Sequence, residues 1–459
     1  MKTETCKLLI LGAGPGGYVC GIRAGQLGVD TIVVEAAKPG GTCLNVGCIP
    51  SKALIHAADE FAKTRAFAGE NELGISVASP AIDLGKTIDW KDGIVKRLTG
   101  GVSGLLKKAG VRYVQGHATI IDGKTAEVRT EGDPVRIRAE HLVIATGSVP
   151  FELPFLSFGG RVISSTDILA LRQVPQDLAV VGGGYIGLEI GIAMAKLGSK
   201  VTIVEAAERI LPQYDAELTA PVSKRMAALG ITVHVGARAK GLSSDGGGLL
   251  VETDAGEITI PADHVLVTVG RQPVTSGFGL ESLGLGMDGR FIAIDKRCAT
   301  SMRDVYAIGD VTGDPMLAHR AMAQGSMVAE IIAGEKRHWD KRAIPAVCFT
   351  DPELVVVGLL PHEAEGARAT VFPFGANGRA MTMERSDGFV RFVSDTATGL
   401  VLGIQAVGAG VSEMAGQFAM ALEMASTLTD IAETVHAHPT LGEVVQEAAL
   451  KGLGRALHT

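Results

Sequence analysis

The chain has 459 residues, 46% of them hydrophobic, which is enough for several domains with large cores and excludes a disordered protein. Its formal net charge of -7 leaves no basic footprint for nucleic acid, and no uncharged apolar run reaches the ~18 residues of a membrane span. The 60 glycines show no collagen period, so they imply tight turns and close approaches of backbone to ligand.

Leu8–Leu11 reads as a buried strand, too short for the core of a signal peptide. Gly12-Ala13-Gly14-Pro15-Gly16-Gly17 then opens a helix running to about Leu27, Thr31–Val34 is the next strand, and Glu35 ends it. This is the G-x-G-x-x-G unit. Gly12, Gly14 and Gly17 let a pyrophosphate approach the backbone at a helix N-terminus, and Glu35 can accept from two ribose hydroxyls.

One loop later come Cys43 and Cys48, five residues apart in Gly40-Gly41-Thr42-Cys43-Leu44-Asn45-Val46-Gly47-Cys48-Ile49-Pro50-Ser51-Lys52. A pair that close can open and close a disulfide with little backbone movement. Both are expected at the start of a helix continuing through Ala53–Ala62, where the helix N-terminus favours thiolate. The remaining cysteines, Cys6, Cys20, Cys298 and Cys348, are isolated and read as packing residues. One close pair is not a secreted disulfide framework, and a cytoplasmic setting is expected. No metal site is read from the sequence. Residues 65–90 and 243–257 read as polar surface excursions or hairpins.

The nucleotide pattern then recurs. Leu178–Val181 leads into Gly182-Gly183-Gly184-Tyr185-Ile186-Gly187, and Val201–Val204 leads into Glu205. Each acid stands 23 residues after its first glycine and is followed by Ala-Ala. Strand, glycines, helix, strand and acid in register twice imply two dinucleotide sites, the second on Gly182, Gly184, Gly187 and Glu205. A carboxylate at Glu205 repels a 2′-phosphate and favours NAD, while nearby Arg209 keeps NADP open. Near the C-terminus, His438 is placed to deprotonate a thiol, and Glu443, five residues on, to orient the imidazole. His436 reads as a surface histidine.

The block from Gly40 to Lys52 resembles the redox-active disulfide of the flavin-dependent disulfide reductases. Its Ile49-Pro50-Ser51-Lys52 ending is similar to the dihydrolipoamide dehydrogenase branch of that family. The resemblance covers essentially the whole chain, with six motifs in family order. It implies FAD in the first nucleotide site and NAD in the second. It further implies that Cys43 meets the substrate, Cys48 faces the flavin, and Lys52 lies near flavin N5 paired with Glu189. Thr42, Ala145-Thr146-Gly147 and Val269-Gly270-Arg271 are assigned to the cofactor sites. Tyr306-Ala307-Ile308-Gly309-Asp310 resembles the second flavin signature, with Asp310 on the ribitol. Ala318-His319 resembles the helix start at the flavin N1/O2 edge. Tyr185 looks like the tyrosine covering the nicotinamide pocket in glutathione reductase, or packs its helix on the sheet. His438-Pro439-Thr440 with Glu443 is similar to the family's acid–base motif, which serves the other subunit's disulfide.

The expected architecture is therefore α/β: two Rossmann-like dinucleotide-binding domains, for FAD and NAD, plus a C-terminal α+β dimerisation domain. FAD binding is expected over 1–148, NAD binding over 149–271, a return segment completing the FAD domain over 272–342, and the interface domain over 343–459. The implied activity is NAD-dependent oxidation of dihydrolipoamide by a homodimer. The implied partner is the lipoyl domain of the E2 component of a 2-oxoacid dehydrogenase complex, or a glycine-cleavage carrier. The alternatives are a glutathione- or trypanothione-type reductase and a mainly docking subunit of a multienzyme complex.

Overall fold

The computed structural model describes residues 1–244 and 246–458. Strand Lys2–Leu11 is continuously buried only from Leu8 onward, where the apolar run has neighbours on both sides. There Leu8–Leu11 pairs in parallel with Thr31–Val34 and with His141–Ile144. Strands Arg112–Gln115 and Val305–Ala307 continue the parallel sheet on either side. A hairpin, His117–Asp122 with Thr125–Arg129, joins the first half of Val135–Ile144 antiparallel. Strand Val305–Ala307 and helix Ala318–Ile332 thus bring the chain back to the first sheet, where that helix packs on Pro15–Gln26.

The second unit has five parallel strands in the order Thr232–His234, Lys200–Val204, Asp177–Val181, His264–Val267, Val162–Ile163. The glycine-bearing strand again lies between the acid-bearing strand and the returning strand. A three-stranded antiparallel sheet, Arg238–Leu242, Gly248–Thr253 and Gly256–Pro261, takes up most of the expected 243–257 excursion; Asp245 lies outside the described residues. Strands Ser148–Pro150 and Arg271–Pro273 pair antiparallel where the chain leaves and re-enters the first unit.

Of the expected 65–90 excursion only 67–83 is a loop; its two ends lie in the helices Cys48–Ala66 and Leu84–Lys108. The second of these, 25 residues long, had no counterpart in the sequence reading. Gly85, Gly93, Gly100, Gly101 and Gly104 weaken its intrinsic propensity. It persists because Leu84, Ile88, Val102 and Leu106 bury one face, and Asp83 caps its start by accepting from the Lys86 N–H.

The C-terminal unit is a five-stranded antiparallel sheet in the order Ala346–Cys348, Glu353–Gly358, Val401–Gly408, Phe389–Asp395, Ala367–Pro373. Its own core, with Phe372, Phe374, Phe392 and Phe418, packs the sheet against helices Ala415–Glu423 and Glu443–Gly452. Met381, Met420, Met424 and Val435 remain exposed, Val435 by 92%. Among the described residues no helix is long and apolar enough to cross a membrane.

Candidate active site

The two nucleotide units repeat the same kind of turn. Gly12 has φ +100° and Gly182 φ +107°; a Cβ would sit 2.2 Å from the Ala145 carbonyl oxygen or 2.6 Å from that of Thr268. Only glycine fits there. Gly17 and Gly187 sit where their helices pass the same turns. Gly184 is different: a Cβ there meets nothing within 4 Å, and one on Gly14 meets only Gly41, at 4.0 Å. These two glycines keep open the space in front of a helix N-terminus. Glu35 accepts from the Ala13 N–H (2.7 Å) and the Ala37 N–H (2.9 Å); Glu205 accepts from Gly183 (2.6 Å) and Ala207 (2.7 Å). Each acid is thereby fixed at its strand end with lone pairs to spare. Arg209, the residue that kept NADP open, donates to the Tyr214 and Pro212 carbonyls instead.

A cavity of ≈ 1380 Å³ runs from Glu35 past Gly12, Gly14 and Thr42 to Cys43, Cys48 and Lys52. It exceeds the ~300–1,000 Å³ of common small-ligand pockets and suits a dinucleotide. Ala145, Thr146, Gly147, Gly309, Asp310, Ala318, Tyr185, Glu189 and Arg271 also line it. The glycine cradle and helix N-terminus at one end, and the thiols and a lysine at the other, fit FAD.

The cysteines do not share one helix start. Gly41–Val46 is a short helix carrying Cys43; the backbone breaks at Gly47 (φ -138°, ψ -112°), and Cys48 begins helix Cys48–Ala66. The N-terminal field of the longer helix falls on Cys48, its first residue. The two thiols are neighbours across the Gly47 break. Donation from Cys43 and the nearby Lys52 ammonium outweigh burial and hold Cys48 down to about 7, while the same interaction and burial push Cys43 up. Cys48 is the thiolate of the pair.

Lys52 Nζ lies 2.7 Å from Glu189 Oε2 and 4.4 Å from the centre of the Phe349 ring. Glu189 is almost wholly buried, and its other oxygen accepts from the Phe349 N–H at 2.9 Å. At the far wall Ser148 Oγ donates to Asp310 and accepts from Arg271 Nε at 2.7 Å. The Gly309 N–H donates to buried Gln324. Gly270 turns the chain at φ +122° into Arg271. Ala318 opens its helix at the cavity wall; His319 instead contacts the Pro345 carbonyl at 2.9 Å, and its desolvation lowers its pKa. Tyr185 opens the helix that carries Glu189, with its hydroxyl pKa pushed up to about 12 by burial.

His438 lies apart. Its Nδ1 is 2.9 Å from Glu443 Oε1, and Glu443 Oε2 accepts from the Thr440 N–H at 2.8 Å. Burial would raise the Glu443 pKa, but that N–H and His438 outweigh it and lower it. The imidazole is 81% exposed and does not line the cavity. His436 contacts Gln417 and the Thr434 carbonyl.

The pyridine nucleotide-disulphide oxidoreductase family matches residues 6–325, and its dimerisation domain matches residues 344–449. The chain belongs to this family. It is 58% identical over 457 residues to a dihydrolipoyl dehydrogenase of Pseudomonas aeruginosa, covering 98% of both chains. A Haloferax volcanii dihydrolipoyl dehydrogenase is 46% identical, over 99% of this chain and 97% of that one. Among solved structures, LpdA from Mycobacterium tuberculosis superposes with a TM-score of 0.89 at 28% identity, over 98% of this chain and 99% of that one. RclA from Escherichia coli, a flavoprotein disulfide reductase, superposes with 0.87 at 25%, with the same coverage.

This oxidoreductase uses FAD and NAD, as the two nucleotide units suggest. Sequence reasoning missed Ser148 and Phe349 at its site. Neither carries a signal in sequence, because each is recruited by a partner more than a hundred residues away.

Proposed function

We propose that this chain oxidises protein-bound dihydrolipoamide with NAD⁺ through Cys43, Cys48 and FAD. The observation that carries the reading is the placing of both thiols and Lys52 on the wall of the cavity that also holds Glu35. His438, held by Glu443, takes a proton from one substrate thiol. The substrate thiolate attacks Cys43 of the Cys43–Cys48 disulfide, forming a mixed disulfide and releasing Cys48 as thiolate. The second substrate sulfur then displaces Cys43, closing lipoamide; His438 returns its proton to Cys43, and the second thiol's proton goes to solvent. Cys43 donates to the Cys48 thiolate, and Lys52 stabilises it. FAD held along Gly12, Gly14, Glu35 and Asp310 would supply the two-electron redox chemistry that links this dithiol to NAD⁺. Glu189 holds Lys52, Glu205 selects NAD, and Tyr185 covers the nicotinamide side.

The imidazole that serves each dithiol is His438 of the partner subunit. Three things support this: its exposure, its absence from the cavity of its own chain, and the uncovered Met420, Met424 and Val435 in the dimerisation domain. The electrons arrive on a lipoyl domain of a 2-oxoacid dehydrogenase complex. Two assays test the reading. NADH should form with dihydrolipoamide, with no matching NADPH oxidation by glutathione disulfide; the reverse preference overturns it. Mixed dimers of C48S and H438A chains should regain about half of one wild-type dimer's activity, because one site keeps both parts. If the dithiol and imidazole worked within one chain, no mixed dimer would turn over.

A further inference from the structure

The redox helix Cys48–Ala66 and the helix Tyr185–Leu197 are joined by two ion pairs, not one. Lys52 pairs with Glu189, and seven residues further along both helices Asp59 pairs with Lys196 at 2.5 Å. Seven residues are about two turns, roughly 10 Å of rise, so the helices run parallel and the pairs stand on one shared seam. The charges are inverted between the two rungs. A two-turn slip would set Asp59 against Glu189, so the pattern specifies a single register.

Both rungs are tied to the C-terminal unit by one short segment. Phe349 donates its N–H to Glu189 and lies under Lys52. Asp351, two residues on, accepts from Lys196 at 2.7 Å, from Arg225 at 3.0 Å and from Arg385 at 2.6 Å. Lys196 is 6% exposed and has no part in the chemistry above. Burial would raise the Asp351 carboxyl, but its three cations hold it at about 2.

Resting on the functional reading above, we propose that Lys196 is a positioning residue. By tying Asp59 of the redox helix to Asp351 of the dimerisation domain, it sets where Cys48 lies relative to Cys43. Cys43 and Cys48 stand on opposite sides of the break at Gly47, so their separation depends on where the redox helix rests and not on either helix alone. The Lys196 rung anchors that helix two turns beyond Lys52. With the anchor gone, Cys48 moves relative to Cys43 and the thiolate loses support from its neighbour. The titratable groups facing Cys48 are Cys43, Lys52, Glu189, Tyr18 and Tyr185, and a change at Lys196 alters none of them.

The test is a pH titration of the long-wavelength thiolate–flavin absorbance in two-electron-reduced holoenzyme, on wild type, K196M, K196R and D59N. K196M leaves Asp351 with two arginines and releases Asp59, 47% exposed, to water, so the fold is expected to survive. K196M should move the midpoint up by about half a pH unit or more, and D59N by less. K196R should bring it back. A midpoint in folded K196M equal to wild type overturns the proposal, as does a K196R midpoint displaced as far as that of K196M. If K196M does not fold, D59N decides by the same criterion. Wild type with no such absorbance at all would overturn both this proposal and the functional reading; an unchanged midpoint sinks this proposal alone.

Discussion

Cys48, which carries the thiolate, and His438, which moves the substrate's proton, are supported in different ways. Cys48 begins a helix at the cavity wall, with Cys43 and Lys52 beside it, and Lys52 is in turn held by Glu189 and Phe349. His438 stands on an exposed loop, held by a single carboxylate. The difference follows from what each group needs. A thiolate that must persist between half-reactions needs permanent stabilisation from groups of its own chain. A base that moves protons to and from an incoming thiol needs access, and is completed only when another surface covers it.

Three measurements sharpen or break that contrast, beginning with the largest effect. H438A should lower kcat with dihydrolipoamide by about 10²–10⁴, while the reduced enzyme keeps the wild-type long-wavelength band. Loss of the band together with activity would mean that the two sites are not separately built. E443Q should cost less, roughly ten- to hundredfold, the worth of one hydrogen bond to a charged group. A loss as large as that of H438A would make Glu443 a reacting group and not an orienting one. The smallest effect is in pH. The Cys48 pKa is lowered, so its thiolate is the form present above the midpoint and is protonated as pH falls through about 7. The band should therefore be half lost near pH 7 and absent by about pH 5. A band unchanged down to pH 5 would show that the surroundings hold the thiolate far more strongly than Cys43 and Lys52 account for.

Much of this was legible because local chemistry leaves local marks. Positive φ and a carbonyl 2.2 Å from a missing Cβ admit only glycine, so Gly12 and Gly182 announce their turns. The acid 23 residues on announces the second strand. The helix Leu84–Lys108 left no such mark, because its stability comes from one buried face and its glycines argue against it. The expected placement of both cysteines at one helix start failed at Gly47, where a single residue's backbone separates the two segments.

By itself, then, the sequence determined the two nucleotide turns, the paired cysteines, and the His438–Glu443 motif, all within short spans where spacing and residue type dictate geometry. Tertiary structure alone decided that the two cysteines stand on separate helices, that Glu189 is shared between Lys52 and a distant backbone N–H, and that Asp351 gathers three cations from separate elements. Those contacts join residues whose separation along the chain is long. Their energies come from burial and from partners that composition and periodicity cannot bring together, because only the packed core sets the distances between them.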